Sequence, residues 1–196
     1  MASTLSVSKI QGLSSAASPT TVEIASGHKI TGAAGALSLP GLILQTVNKT
    51  STTQLSLTST SFIITDLTVN ITPSSSSNKI MLFTTIGNLD HSQNTYQMHL
   101  RYTRNGTAIL TQTGSSSQTA TTQSVRGILS GDTNGQNCCV IPLLIDTPSS
   151  TSALTYKVQL YNYNGNTFYY NRTANNTDGA GFNAPQSTIT AMEIAG

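Results

Sequence analysis

The sequence has no tryptophan, two cysteines that sit side by side, and only 8% Asp, Glu, Lys and Arg. An average globular domain carries about 25% charged residues. Solubility here falls to hydroxyls and amides instead: Ser, Thr and Asn make up 73 of 196 residues. A net charge of +2, with the basic residues scattered, leaves no stripe for a nucleic-acid backbone. Low charge alone would suit a disordered chain, but the plentiful Thr, Val, Ile and Tyr favour strands. No apolar run approaches the ~20 residues of a membrane helix. The segment "MASTLSVSKIQGL" lacks the basic start and apolar stretch of a secretory leader. Neither membrane insertion nor secretion is therefore expected, and the Asn-x-Thr triplets at Asn48, Asn70, Asn105, Asn171 and Asn175 carry no message. Cys138 and Cys139, being neighbours on a strand, would point to opposite faces and cannot easily bridge each other. They read as small buried hydrophobes.

The sequence is equally poor in catalytic constellations. In "VEIASGHKITGAAG", Gly27 and Gly32 are spaced as in a phosphate loop, but Ala33 stands where the lysine belongs. His28 has no partner at metal-ligand spacing. His91 and His99, with Asp90 adjacent, would share one strand face but stand about 26 Å apart when extended. "DTNGQN" has Asp132 and Asn134 but lacks the later acidic ligands of a calcium loop. The seven carboxylates form no recognisable pair, and no Gly-x-Ser-x-Gly elbow occurs. No enzyme activity, metal or cofactor is expected.

What is present is an arm and a set of strands. Residues 1–40 form an Ala-, Ser- and Gly-rich zone in which "GLSSAASPTT" reads as a linker. Val22, Ile24, Ile30 and Leu37 lie there on segments too short to build a core alone, which makes them candidate attachment residues. Residues 41–196 read as nine or ten strands: "GLILQTVNK", "SFIITDLTVNIT", "IMLFTTIG", "VRGILSG", "CCVIPLLID" and "STITAMEIAG" among them. Leu67, Val69 and Ile71 alternate with Thr68 and Asn70, and "PSSSSNK" is a loop. Asn105-Gly106 predicts a type I′ hairpin with Tyr102 opposite Ile109 and Leu100 opposite Thr111. That pairing puts Met98, Leu100 and Tyr102 on one face, and His99 with Gln112 on the other. Asn164-Gly165 predicts a second hairpin, with Leu160 opposite Tyr169 and Tyr161 opposite Phe168. Both its faces are apolar, so one needs a cover beyond the core. The expected fold is all-β: an extended N-terminal arm followed by an antiparallel β-sandwich of jelly-roll type.

Tyr161, Tyr163, Phe168 and Tyr170 fall within ten residues of a chain with eleven aromatics, and are the candidates for a subunit interface or for receptor contact. The segment "VSKIQGLSSAASPTTVEIASGHKITGAAG" resembles the N-terminal region of small tail-fibre-like virion structural proteins of tailed phages, of the cyanophage and marine-phage type. "LTVNITPSSSSNKIML", "TPSSTSALTYKVQLYN" and "STITAMEIAG" resemble their β-rich C-terminal domain. The resemblance implies a homotrimer, assembled in the host cytoplasm into the virion. Its arm would bind other virion proteins and its knob would contribute to host attachment, with host surface glycan as a possible partner. The alternatives are a capsid decoration protein or head fibre and, more remotely, a glycan-active enzyme. The resemblance brings no catalytic residues.

Overall fold

The computed structural model describes residues 39–92, 95–112, 114–128, 137–163, 165–175 and 184–196, with Ser26 and Gly179 alone outside these stretches. The chain divides between Leu37 and Ser38. Val22, Ile24, Ile30 and Leu37 lie outside the described residues, as do the side chains of Cys138 and Cys139.

Among its described residues the second unit contains eleven strands: β1 (Ile43–Ser51), β2 (Leu55–Leu57), β3 (Ile63–Ile71), β4 (Lys79–His91), β5 (Thr95–Arg104), β6 (Thr107–Ile109), β7 (Gln123–Ile128), β8 (Asn137–Asp146), β9 (Leu154–Asn162), β10 (Phe168–Tyr170) and β11 (Ser187–Ile194). Among the described residues there is no helix, and so none long and apolar enough to cross a membrane. All the pairings are antiparallel.

The strands form two sheets. In the first, β4 holds β8 along one edge, while its other edge is shared end to end by β11, at 79–85, and β10, at 89–91. β1 pairs with β11 and β2 with β10, so these two are also pieces of one row. In the second sheet, β9 lies between β3 and β5, and the far edge of β5 is divided between β7 and β6. Counting each divided row once gives eight rows. Numbered along the chain, they run 1-8-3-6 in one sheet and 2-7-4-5 in the other, the strand order of a jelly roll. The expected sandwich is therefore what the chain forms, with β2 as an addition that its Thr/Ser-rich surroundings concealed.

The period-two pattern sets the core. Leu67, Val69 and Ile71 of β3, Met98, Leu100 and Tyr102 of β5, and alternate residues of β9 from Leu154 to Leu160 line the second sheet's inner face. Ile80, Leu82 and Ile86 of β4, Phe168 and Tyr170 of β10, and Ile189 and Ala191 of β11 line the first's. Polar links cross between the layers. The Tyr102 hydroxyl donates to Thr84 Oγ1 at 2.8 Å. Arg104 Nη1 reaches both Asp146 oxygens at 2.9 and 2.7 Å, and the Tyr156 hydroxyl donates to Asp146 Oδ2 at 2.6 Å. Burial, and then the bond to Asp146, push the Tyr156 phenol well above its ordinary pKa. The carboxylate of buried Glu193 is a third node. It accepts from the Ser74 amide at 2.6 Å, Ser74 Oγ at 2.8 Å, Asn78 Nδ2 at 2.5 Å and Gln45 Nε2 at 2.5 Å. Burial opposes its charge, but the donors from Asn78, Gln45 and Ser74 outweigh that and hold its pKa below the ordinary value.

The two Asn-Gly turns behave differently. At Asn105-Gly106 both residues have positive φ, 50° and 86°, and Tyr102 faces Ile109 as expected. β6 then ends; Leu110 takes a φ of 54°, and β7 replaces it, so Leu100 pairs with Gln123 and not with Thr111. The segment around Gly165 is not a hairpin. β9 belongs to the second sheet and β10 to the first; Leu160 pairs with Ile63 and Leu100, and Phe168 with His91 and Leu57. The chain crosses the sandwich there, because both strands have one strongly apolar face and each buries it from its own layer.

Candidate functional site on the outer face of the second sheet

Crossing the sandwich splits the aromatic cluster. Phe168 and Tyr170 are 0% exposed and belong to the core, so they cannot touch a partner or a receptor. Tyr161 points outward from β9 and is half-buried, while Tyr163, just past its end, is 63% exposed. Two of the four expected contact residues thus remain on the surface, and the structure gives them neighbours.

Register builds a row across the outer face. His99 of β5 lies directly opposite Tyr161 of β9 on one side and Ser124 of β7 on the other. Phe62, just before β3, continues the row. The Phe62 and Tyr161 rings are 5.1 Å apart and tilted; those of Tyr161 and His99 are 5.5 Å apart and stacked. His99 Nδ1 meets Ser124 Oγ at 2.7 Å. One register position along, Arg101 donates to Gln159 Oε1 at 2.8 Å and lays its guanidinium 3.6 Å from the Phe62 ring centre. The contacts of His99 with Tyr161 and Ser124, and of Arg101 with Gln159, are cross-strand pairs of outward residues, the geometry in which side chains on a sheet interact most.

The segment after β6 folds beside this row. The Gln118 amide bonds the Ser115 carbonyl at 3.1 Å, and Thr122 N donates to Leu100 O at 2.8 Å, returning the chain to β5. Between this loop and the row lies an open cleft of about 490 Å³. Gln97, His99 and Ser124 form its floor, Gln112 and Gln118 stand on the loop side, and Tyr163 is at its end. The Tyr163 amide donates to Gln97 O at 3.3 Å, which places that ring beside the floor. Burial holds the His99 imidazole below its ordinary pKa, so it is neutral near pH 7. The other described side chains of the lining are amides, hydroxyls and a phenol; among these described residues none is Asp, Glu, Lys or Arg.

The pairing of His99 with Gln112 on one hairpin was not formed, yet both residues line the cleft. Phe62, Ser124 and Gln118 were missed. Their signal was weak: Gln97, His99 and Arg101 share the parity opposite to Met98, Leu100 and Tyr102, but nothing local says which strand lies alongside. His91 lies on β4 in the other sheet from His99. Among the described residues no three His, Cys, Asp or Glu gather as a metal site.

The serine–histidine contact has the spacing of a nucleophile and its base. A hydrolase of that type also needs a group to orient the imidazole, and among the described residues no carboxylate lines the cleft. Two facing carboxylates, as glycoside cleavage requires, are likewise missing from the lining. The arrangement suits holding a ligand by stacking and hydrogen bonds. No protein-family model and no curated protein matches the chain.

Proposed function

We propose that the chain is a non-enzymatic virion structural protein of a tailed phage, a fibre-like appendage subunit that assembles with copies of itself into a trimer and contributes to host adsorption. The virion assignment draws on the likeness of the quoted segments to such proteins, including the arm at residues 1–40. The observation that carries self-assembly is on the outer face of the first sheet. Phe83 of β4 and Leu143 and Ile145 of β8 are 37%, 52% and 48% exposed. They adjoin Met81, which pairs with both Ile145 and Met192. A continuous apolar strip on a protein otherwise wetted by Thr, Ser and Asn needs a cover, and further copies of the same chain supply one with matching chemistry. The cleft on the opposite outer face stays open to the medium in such an assembly.

Light scattering on the purified full chain tests this. The expected mass is three times that of the 20.5 kDa chain; a monomer at micromolar concentration would overturn it. Antibody labelling of intact particles is expected to mark the tail, and label confined to the shell would make the protein a capsid decoration instead.

A further inference from the structure

We infer that the cleft beside β5 and β7 is a binding site for a neutral saccharide. This deepens the adsorption role just proposed and rests on it for its biological setting, though not for its chemistry.

The argument starts with charge. Among the described residues that line the cleft none is Asp, Glu, Lys or Arg, and His99 is held neutral by burial. Among the described lining residues an anionic ligand such as a phosphate or sialic acid meets no counter-charge, and a cationic one no carboxylate. The guanidinium of Arg101, in the row beside the cleft, is already engaged by Gln159 and the Phe62 ring. What the lining offers is three side-chain amides, at Gln97, Gln112 and Gln118, and the hydroxyls of Ser117, Thr119 and Ser124. Primary amides both donate and accept, and hydroxyls do the same. A ring of adjacent secondary hydroxyls is the ligand class that uses this double capacity at several points.

The second element is the exposed ring. Tyr163 stands 63% exposed at the end of the cleft, and a phenol face is the surface on which the apolar C–H side of a pyranose stacks. Tyr161 and His99 stiffen the floor by stacking on each other. The His99 imidazole, tied through Nδ1 to Ser124, is fixed in orientation. The volume, about 490 Å³, lies within the roughly 300–1,000 Å³ of small-ligand sites. A floor made of two strands locked in register, β5 and β7, is preorganised, so little ordering is needed on binding.

The test is saturation-transfer NMR on the intact protein with maltohexaose, cellohexaose and mannohexaose as neutral probes, and with colominic acid as the anionic one. Transfer to at least one neutral hexaose is expected, with a dissociation constant on the order of 1 mM. Tyr163→Ala, on an exposed ring, should weaken it about tenfold, equal to ~1.4 kcal/mol. Gln97→Ala should weaken it less. No transfer to any neutral probe would overturn the proposal, as would undiminished transfer in the Tyr163→Ala protein or stronger binding of colominic acid. Transfer to a polyproline peptide in place of every saccharide would assign the site to protein and overturn it equally. Mass and particle labelling are measured without saccharide, so a trimer that binds no sugar sinks only this inference, and a monomer that binds sugar sinks only the assembly.

Discussion

The outer faces of the two sheets are built on the same pleat and carry opposite surfaces. On the first sheet the outward positions of β4 and β8 include Met81, Phe83, Leu143 and Ile145, apolar and unlinked by polar contacts among the described residues. On the second, the outward positions of β9, β5 and β7 carry Tyr161, His99, Arg101, Gln159 and Ser124, joined by stacking and hydrogen bonds. The first face gains free energy only when it is covered, because each apolar side chain removed from water contributes ~1.5–3 kcal/mol. The second is already rigid when uncovered. One face therefore suits assembly and the other suits recognition, and a two-layer sandwich keeps the two jobs about 10 Å apart across its core.

The largest test of this contrast is the double change Leu143→Asp with Ile145→Asp. Removing two buried apolar groups per contact and adding charge should weaken association by ~10²–10⁴-fold or more, and light scattering should then read the single-chain mass. Tyr163→Ala on the opposite face should leave the mass unchanged. If both variants dissociate alike, the faces are not specialised.

The second test separates inner from outer aromatics. Phe168→Ala opens a cavity in the core and should cost ~3–5 kcal/mol, read as a lower urea midpoint. Tyr163→Ala, five residues earlier, should change stability by no more than ~0.5 kcal/mol. The sequence presents these two rings as members of one cluster; the fold makes one structural and leaves the other on the surface.

That contrast shows what the sequence could reveal. Strand existence followed from alternation, as at Leu67, Val69 and Ile71, since the period is local. So was the Asn105-Gly106 hairpin, because a type I′ turn sets the register of the residues beside it. The same dipeptide at Asn164-Gly165 misled. Whether two consecutive strands pair or face each other across a core depends on partners far along the chain: Ile63 and Leu100 for Leu160, His91 and Leu57 for Phe168. The cleft was hidden for the same reason. Its floor needs β7 beside β5, which depends on where β6 stops, and β6 stops at a Leu110 of positive φ that no residue-type preference announces.

The smaller effects titrate the two sheets separately. Glu193 belongs to the first, and its pKa is depressed in the folded state. Its stabilisation is present above the ordinary carboxylate value of 4.5 and lost as pH falls through its lower folded value. Glu193→Gln should cost about 1–3 kcal/mol at neutral pH and flatten the acid limb of a plot of Tm against pH. His99 belongs to the second sheet, and burial lowers its pKa. The unfolded chain binds this proton first, so stability is complete above pH 6.5 and declines as pH falls from there toward the folded value. His99→Gln should remove that shallower decline, the smallest of the four effects, and leave the carboxylate limb untouched.

The broken row of the first sheet has a consequence of its own. β10 and β11 lie end to end along β4, the one ending at Tyr170 and the other beginning at Ser187. Asn171 sits at the exit with a φ of 55°. Its side-chain amide donates to the carbonyls of Ser51 and Thr53, where β1 also gives way to β2, and its oxygen accepts from Ser187 Oγ where β11 resumes. One buried asparagine thus seals the gap in both rows from inside. The ends of the excursion are held at a fixed separation by the ladder and by this clamp, independently of what lies between. Doubling the length of such a loop costs only ~0.6 kcal/mol in closure entropy. The join between β10 and β11 is accordingly where added length would cost the sheet least, since its register is held on either side by the ladder and by Asn171.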